Sequence, residues 1–223
     1  MIFDILKDAL DYLGTNRNQI IVYYLGILIF PLVLIESYSY HIIENCLKGM
    51  INNKDKLPDM TINAKSFMNG LKLLILKIIY YLPEIIILTI AVNLNQIDYI
   101  YLTILLVILT IISYSLSQIA GVCMVDSGLF NEGFNFPKIF NIIKSVGLTY
   151  VEFIIATLVI ILGIIGVTIL LTGIILIIGS TSSTLQAIFI FVLTIVYLIF
   201  LIVIVPIYAL FKNRAVASIY NLS

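Results

Sequence analysis

Long runs of apolar residues, separated by short polar stretches, dominate the pattern of this chain. A helix rises 1.5 Å per residue, so about 20 apolar residues are needed to cross a hydrocarbon core about 30 Å thick. Five runs reach that length, namely 19–40, 71–92, 99–120, 150–178 and 185–211. Helices are the default spanning structure because a helix satisfies its own backbone hydrogen bonds. The pattern therefore predicts an all-α fold, a polytopic transmembrane helix bundle with about five spans.

A different pattern opens the chain. One face of residues 2–13 carries the charged side chains Asp4, Lys7, Asp8 and Asp11, and apolar side chains line the rest. Such an amphipathic helix is predicted to lie at the membrane interface. A lid packed on the bundle is the alternative. The segment differs from a cleaved signal peptide because it opens with acids instead of basic residues.

Lysine and arginine predict the orientation, because cytoplasmic loops carry an excess of both. With five spans, one side of the membrane receives Lys48, Lys54, Lys56, Lys65, Lys72, Lys77, Lys138, Lys144, Lys212 and Arg214, whereas the other receives Lys7 and Arg17. The long connections 41–70 and 125–148 and the C-terminus are then cytoplasmic, and the N-terminal helix is outside. If the run 19–40 is re-entrant instead, the N-terminus returns to the cytoplasm.

Composition agrees with this pattern. The 223 residues are 62% hydrophobic and 11% charged, whereas a soluble domain is about 25% charged. The chain is therefore predicted to form a single membrane domain, 1–223, in the cell membrane with lipids as its partners. The formal net charge is +0, and a chain without a basic patch is not expected to bind nucleic acid. A second copy of the chain or another membrane protein remains open as a partner.

Short sequences recur at a nearly constant offset. The tripeptide SYS occurs at 37–39 and 113–115, Cys46 is followed by Cys123, and the pair GL occurs at 70–71 and 147–148. These matches predict two repeat units, 19–92 and 99–178, followed by the fifth span 185–211. Because each unit would contain two spans, both copies would have the same orientation, which makes a parallel repeat.

A stripe of small residues marks the fourth apolar run. This glycine stripe consists of Gly163, Gly166 and Gly173. Small residues let the backbones of two membrane helices approach closely. The stripe is therefore predicted to be a helix-packing face, with a hinge as the alternative.

Glu84 is the candidate for chemistry, because it lies within the apolar run 71–92. An ionised carboxylate at the centre of a bilayer costs ~2.5–3.5 kcal/mol on insertion scales. Three interpretations follow: a neutral acid hydrogen-bonded to a tyrosine or threonine, a polar contact between helices or subunits, or a site for a proton, cation or amine-bearing ligand. In the third interpretation, the ligand-binding residues are Glu84, Lys77, Tyr80 and Tyr81.

No enzyme class is indicated by the sequence. The chain has one histidine and lacks the H-E-x-x-H, G-x-S-x-G and Walker patterns, so no catalytic residue, cofactor or metal site is predicted. Two functions remain, and the first is transport or handling of a small or lipidic ligand, which requires a cavity that reaches Glu84. The alternative is a non-catalytic membrane scaffold or assembly factor with partners on its cytoplasmic loops.

Four longer stretches carry a family resemblance. They read LPD at 57–59, FMNGLKLLILKIIYYLP at 67–83, GFNFPKIFNII at 133–143 and PIYALFKNRAVA at 206–217. Together they resemble an uncharacterised, largely archaeal family of multi-pass membrane proteins, domain of unknown function 4013. The resemblance implies a polytopic membrane protein, and it implies no reaction, ligand or catalytic residue. Pro58, Gly70, Pro83 and Gly133 match the family pattern, whereas Glu84 does not look like part of it.

Overall fold

The computed structural model describes residues 1–27, 31–48, 56–61, 63–94, 99–179 and 184–223. Within these ranges the chain is all-helical, with no strand, as predicted. The helices are α1 (Ile2–Leu13), α2 (Arg17–Ile27), α3 (Pro31–Lys48), α4 (Ala64–Tyr80), α5 (Leu82–Leu94), α6 (Tyr99–Ser127), a 3₁₀-helix (Phe130–Phe134), α7 (Phe136–Gly179) and α8 (Thr184–Tyr220).

Fewer helices qualify as membrane spans than the sequence predicted. In the described residues, α6, α7 and α8 each contain a stretch long and apolar enough to cross a bilayer, and α4 with α5 forms a fourth candidate that is bent by 48°. A bundle of apolar helices is thus confirmed, with three or four candidate spans instead of five. The fifth predicted span, 185–211, corresponds to most of α8.

The missing span is the first apolar run. The rings of Tyr23 in α2 and Tyr38 in α3 have centroids 4.8 Å apart. In one continuous helix, these two residues would be separated by about 22 Å along the axis. α2 and α3 are therefore not one continuous helix, and residues 28–30 between them lie outside the described ranges. The predicted span over 19–40 is not formed as a single straight helix.

Two breaks shape the helices that follow. The amide of Tyr81 donates to the carbonyl oxygens of Lys77 and Ile78, which ends α4. Pro83 then lies in the first turn of α5, where a missing N–H costs nothing. Gly147 breaks α7 with φ 50° and ψ −122°, a conformation that glycine adopts without steric penalty. It separates an amphipathic first part of α7 from the apolar remainder.

The N-terminal helix packs against the C-terminal end of α8. Asp8 accepts a hydrogen bond of 3.0 Å from Nε of Arg214, and the Arg214 guanidinium lies 4.4 Å from the centroid of the Tyr12 ring. Asp8 is therefore buried, although the sequence placed it on the polar face, while Phe3 is 81% exposed. The contact differs from the predicted topology, in which α1 and Arg214 lie on opposite sides of the membrane.

Burial divides the molecule into two regions. We call the region formed by α1–α4, 113–127, the 3₁₀-helix, 136–157 and 206–220 the packed end, because it contains nearly all the buried side chains of the described residues. The described parts of α5, 99–112, 158–179 and 184–205 are the apolar arms, and their side chains are mostly exposed. Exposed apolar helices of this length are suited to lipid contact.

The glycines do not behave as the pattern predicted. A Cβ built at any member of the glycine stripe would meet no atom within 4 Å, so the stripe is not a packing face within the described chain. The close approach occurs at Gly70 instead. A Cβ there would lie 2.5 Å from the carbonyl oxygen of Val33 and 2.6 Å from the amide nitrogen of Ser37. Glycine at this position lets α3 and α4 touch backbone to backbone.

The predicted repeat units contain different elements. The unit 19–92 begins with the two helices α2 and α3, whereas the unit 99–178 begins with the single helix α6. The matched glycines also differ, since Gly70 lies at a helix contact and Gly147 at a helix break. The repeat stays a prediction from the sequence.

Candidate functional site

Glu84 lies in the first turn of α5. The N–H groups of a first turn have no partner within their own helix, and a negative charge there is stabilised by about 0.3–1 kcal/mol. Glu84 is nevertheless 9% exposed, and both of its carboxylate oxygens lack a hydrogen-bond partner. Burying an unpaired ion costs several kcal/mol. The helix end therefore offsets only a part of the cost of an ionised Glu84.

Several tyrosine hydroxyls lie near the start of α5. Tyr81, one turn earlier, interacts electrostatically with Glu84 and Tyr114 and lies beside the hydroxyl of Ser117. The hydroxyls of Tyr114 and Tyr208 are 2.8 Å apart. We call Tyr81, Tyr114 and Tyr208 the tyrosine cluster. It joins the start of α5 to α6 and α8, and its hydroxyls can donate or accept hydrogen bonds.

Lys77 and Tyr80 have other contacts. Lys77 forms an ion pair with Glu36 of α3, so the structure does not bring it to the carboxylate of Glu84. Tyr80 donates its hydroxyl proton to the carbonyl oxygen of Gly133 at 2.7 Å, and its ring stacks on Phe134 with centroids 5.9 Å apart. Among the four predicted site residues, Glu84 and Tyr81 are therefore the two that lie together.

Tyr80 also lines an apolar groove beside the break between α4 and α5. The groove has a volume of about 250 Å³. Its walls include Tyr80 and Pro83 at the break, Ile112 and Leu116 of α6, and Phe134 and Phe136 before and at the start of α7. Another cavity, of about 410 Å³, lies between α1 and the C-terminus. Glu84 lines neither of these two cavities, so neither is the interior cavity predicted from the sequence.

Sequence reasoning missed several charged groups in the packed end. Lys212 is 8% exposed and its Nζ lies 5.9 Å from the centroid of the Tyr114 ring, with Lys77 and Glu36 as charged neighbours. Glu36 lies inside the run 19–40, so an acid within an apolar run was the signal for it, as for Glu84. The depth of Lys212 and Arg214 had no such signal, because both occur in a segment typical of a cytoplasmic flank.

Potential metal ligands are dispersed in the described part of the chain. No group of three or more His, Cys, Asp or Glu side chains there could hold an ion. The single histidine, His41, lies 3.7 Å from the carboxylate of Glu44 and forms a 2.8 Å hydrogen bond with Ser66. Cys46 and Cys123 are both free and buried. The chemistry available at the site is therefore that of one carboxyl group and several hydroxyls.

Comparison with known proteins agrees with the resemblance carried by the four stretches. No curated protein and no solved structure matches the chain. The model of the family described as "Protein of unknown function (DUF4013)" matches residues 20–177, which is more than half of the chain. This integral membrane protein therefore belongs to that family.

Proposed function

We propose that this protein binds and handles a lipidic ligand, whose acyl chain occupies the groove at the break between α4 and α5. The groove carries the proposal because its walls are mostly apolar side chains, which come from α4, α5, α6, the 3₁₀-helix and α7. Ligand sites are typically concave and lined mostly by apolar and aromatic side chains. In this proposal the bend at Pro83 creates the concavity, and Phe134 and Phe136 close one end of it.

The rim of the groove is exposed on the lateral surface of the candidate spans. Ile79 is 37% exposed and Ile112 is 49% exposed, and both belong to candidate membrane spans. A lipid can therefore enter laterally without passing through the packed end. A small polar solute would find few hydrogen-bonding partners among the lining residues, because these are apolar except for Ser113 and the Tyr80 hydroxyl, which is already bonded to Gly133. Transport of the lipid, or its delivery to a partner, follows from such binding. The proposal assigns no catalytic step to the chain.

Tryptophan fluorescence tests this function directly, because the chain contains no tryptophan. Ile112→Trp places a single reporter in the groove. Ile86→Trp is the matched control, since Ile86 is 54% exposed on α5 and does not line the groove. The protein is placed in vesicles that contain an increasing fraction of brominated lipid, which quenches tryptophan fluorescence. Quenching at position 112 is expected to be stronger than the bulk fraction of brominated lipid would produce. A relative binding constant of about 10 corresponds to about 1.4 kcal/mol.

At position 86, quenching is expected to follow the bulk fraction of brominated lipid. If both reporters follow the bulk fraction for every lipid class, the groove selects no lipid and the proposal fails. The alternative function is a non-catalytic scaffold or assembly factor. It predicts that both reporters follow the bulk fraction and that a partner protein copurifies with the chain.

We also propose that all twelve lysines and arginines lie on the cytoplasmic side of the cell membrane. Three contacts support this arrangement. Asp8 pairs with Arg214, Tyr12 donates to the carbonyl oxygen of Lys56 at 3.4 Å, and Asn221 donates to that of Cys46 at 3.0 Å. Four spans with a re-entrant pair leave both termini on one side, and the excess of cations then identifies that side as the cytoplasm.

Labelling of introduced cysteines checks this topology. Asp4→Cys and Ser223→Cys lie at exposed positions near the two termini, and the native Cys46 and Cys123 are buried. Both introduced thiols are expected to react with an impermeant maleimide in inside-out vesicles and to stay unlabelled in right-side-out vesicles. A cysteine placed in 95–98, which the sequence assigns to the opposite side, is the control. Labelling of the two termini from opposite sides would restore an odd number of spans.

A further inference from the structure

Glu84 is not explained by the lipid groove. Its carboxylate oxygens are buried without a hydrogen-bond partner, and neither of the two cavities described above reaches it. An amine or a hydrated cation needs space beside the carboxylate, whereas a proton needs none. A proton also removes the charge that makes burial unfavourable. From this geometry we propose that Glu84 is a proton-binding site, and that the proton exchanges through the hydroxyl of Tyr81.

α5 packs mainly against α4 and α6. The titratable groups of α4 near the break are Tyr80 and Lys77, which bond to Gly133 and Glu36 and not to Glu84. From α6 the titratable group is Tyr114, with Tyr208 of α8 bonded behind it. Lys212 of α8 lies over the ring of Tyr114, with its Nζ 5.9 Å from the ring centroid. No cation in the described residues forms an ion pair with Glu84, so an ionised carboxylate would stay uncompensated there.

The route for exchange follows from the tyrosine cluster. Tyr81 is the hydroxyl that interacts with Glu84, and the same hydroxyl lies beside Ser117. In the exchange, Tyr81 donates its hydroxyl proton to one oxygen of the Glu84 carboxyl group and accepts the carboxyl proton from the other, so both groups end neutral. Tyr81 is half-buried, so its own hydroxyl proton can exchange with water. Tyr80 is the neighbouring residue, but its hydroxyl is bonded to Gly133. The two adjacent tyrosines therefore provide a test position and a control position.

Infrared spectroscopy of the full chain in lipid nanodiscs tests the site. At neutral pH the wild-type protein is expected to show the C=O stretch of a protonated carboxyl, which shifts in D₂O. Glu84→Gln is expected to remove this band, whereas Glu152→Gln, at an exposed position, is expected to keep it. A wild-type spectrum without the band at any pH, or a band that survives in the glutamine variant, overturns the proposal.

Isotope labelling of the wild-type protein is a second test, which is needed if the glutamine variant does not fold. Carboxyl-¹³C glutamate shifts the bands of all five glutamates in the wild-type protein. Glu36 and Glu132 are ion-paired with lysines, Glu44 lies beside His41, and Glu152 is exposed. A ¹³C-shifted acid band at neutral pH therefore supports protonation of Glu84, and its absence overturns it. The lipid groove is tested by a separate signal, so the two proposals fail independently.

The route has its own measurement. Tyr81→Phe is expected to slow the exchange of the Glu84 carboxyl proton for deuterium roughly tenfold, because one hydroxyl of the chain is removed. Tyr80→Phe is expected to leave the exchange rate at the wild-type value. Equal rates in the wild type and the Tyr81→Phe variant would show that the proton does not pass through Tyr81.

Discussion

Replacing Asp8 with alanine is expected to lower the free energy of unfolding by about 3–5 kcal/mol, because it leaves a buried arginine without its carboxylate. The side chains of Arg214 and Asp8 are 2% and 10% exposed, and the Nε–Oδ2 distance is 3.0 Å. The pair connects the first helix of the chain to the end of the last. Its loss should therefore destabilise the packed end and also release α1 from it.

Denaturant unfolding of the full chain in detergent, followed by circular dichroism, gives the measurement. Asp4→Ala is the matched control on the same helix, since the Asp4 side chain is 87% exposed and contacts the terminal amine. Its effect is expected to stay within about 0.5 kcal/mol. The double variant Asp8→Leu with Arg214→Met should recover most of the stability, because an apolar pair often replaces a buried ion pair without loss. Equal effects of Asp8→Ala and Asp4→Ala would contradict the role of the pair.

Gly70→Ala is expected to destabilise the fold by about 1–3 kcal/mol, in spite of the better helix propensity of alanine. The added methyl group would lie 2.5 Å and 2.6 Å from backbone atoms of Val33 and Ser37. Backbone atoms in the middle of α3 cannot rotate away as a flexible side chain can. The two helices must move apart, and the ion pair between Glu36 and Lys77 stretches with them.

Gly163→Ala is the matched control for this prediction. Both residues are glycines inside apolar helices, but a Cβ at Gly163 would meet no atom within 4 Å. The control is therefore expected to be neutral or to gain up to about 1 kcal/mol from helix propensity. The same unfolding assay compares the two variants. If both alanines have the same effect, the close contact between α3 and α4 does not exist in the membrane.

The residues around Glu84 illustrate what a local pattern can predict. The sequence Leu82-Pro83-Glu84 has a proline followed by an acid, which is typical of the first turn of a helix. Interpreted in that way, it would have predicted a new helix at this point instead of a charge in the middle of a long one. The apolar run on both sides concealed the break, because hydropathy measures composition over a window and is insensitive to a single helix end.

Three long apolar helices and the position of Glu84 within a membrane segment followed from the sequence by itself, because the bilayer imposes length and hydropathy on every spanning helix. Each of these properties depends on residues within a few turns of one another.

Only the tertiary structure decided which apolar runs form single long helices, where α1 packs, and which charges meet. The contact between α2 and α3, the pair of Asp8 and Arg214, and the pair of Glu36 and Lys77 all join residues distant in sequence. The mean hydropathy of the sequence around Arg214 is the same whether or not a carboxylate lies beside the arginine in the fold, so it assigns Arg214 to a cytoplasmic flank in both cases. The physical reason is that hydropathy is additive along the chain, whereas burial and ion pairing depend on distances in three dimensions.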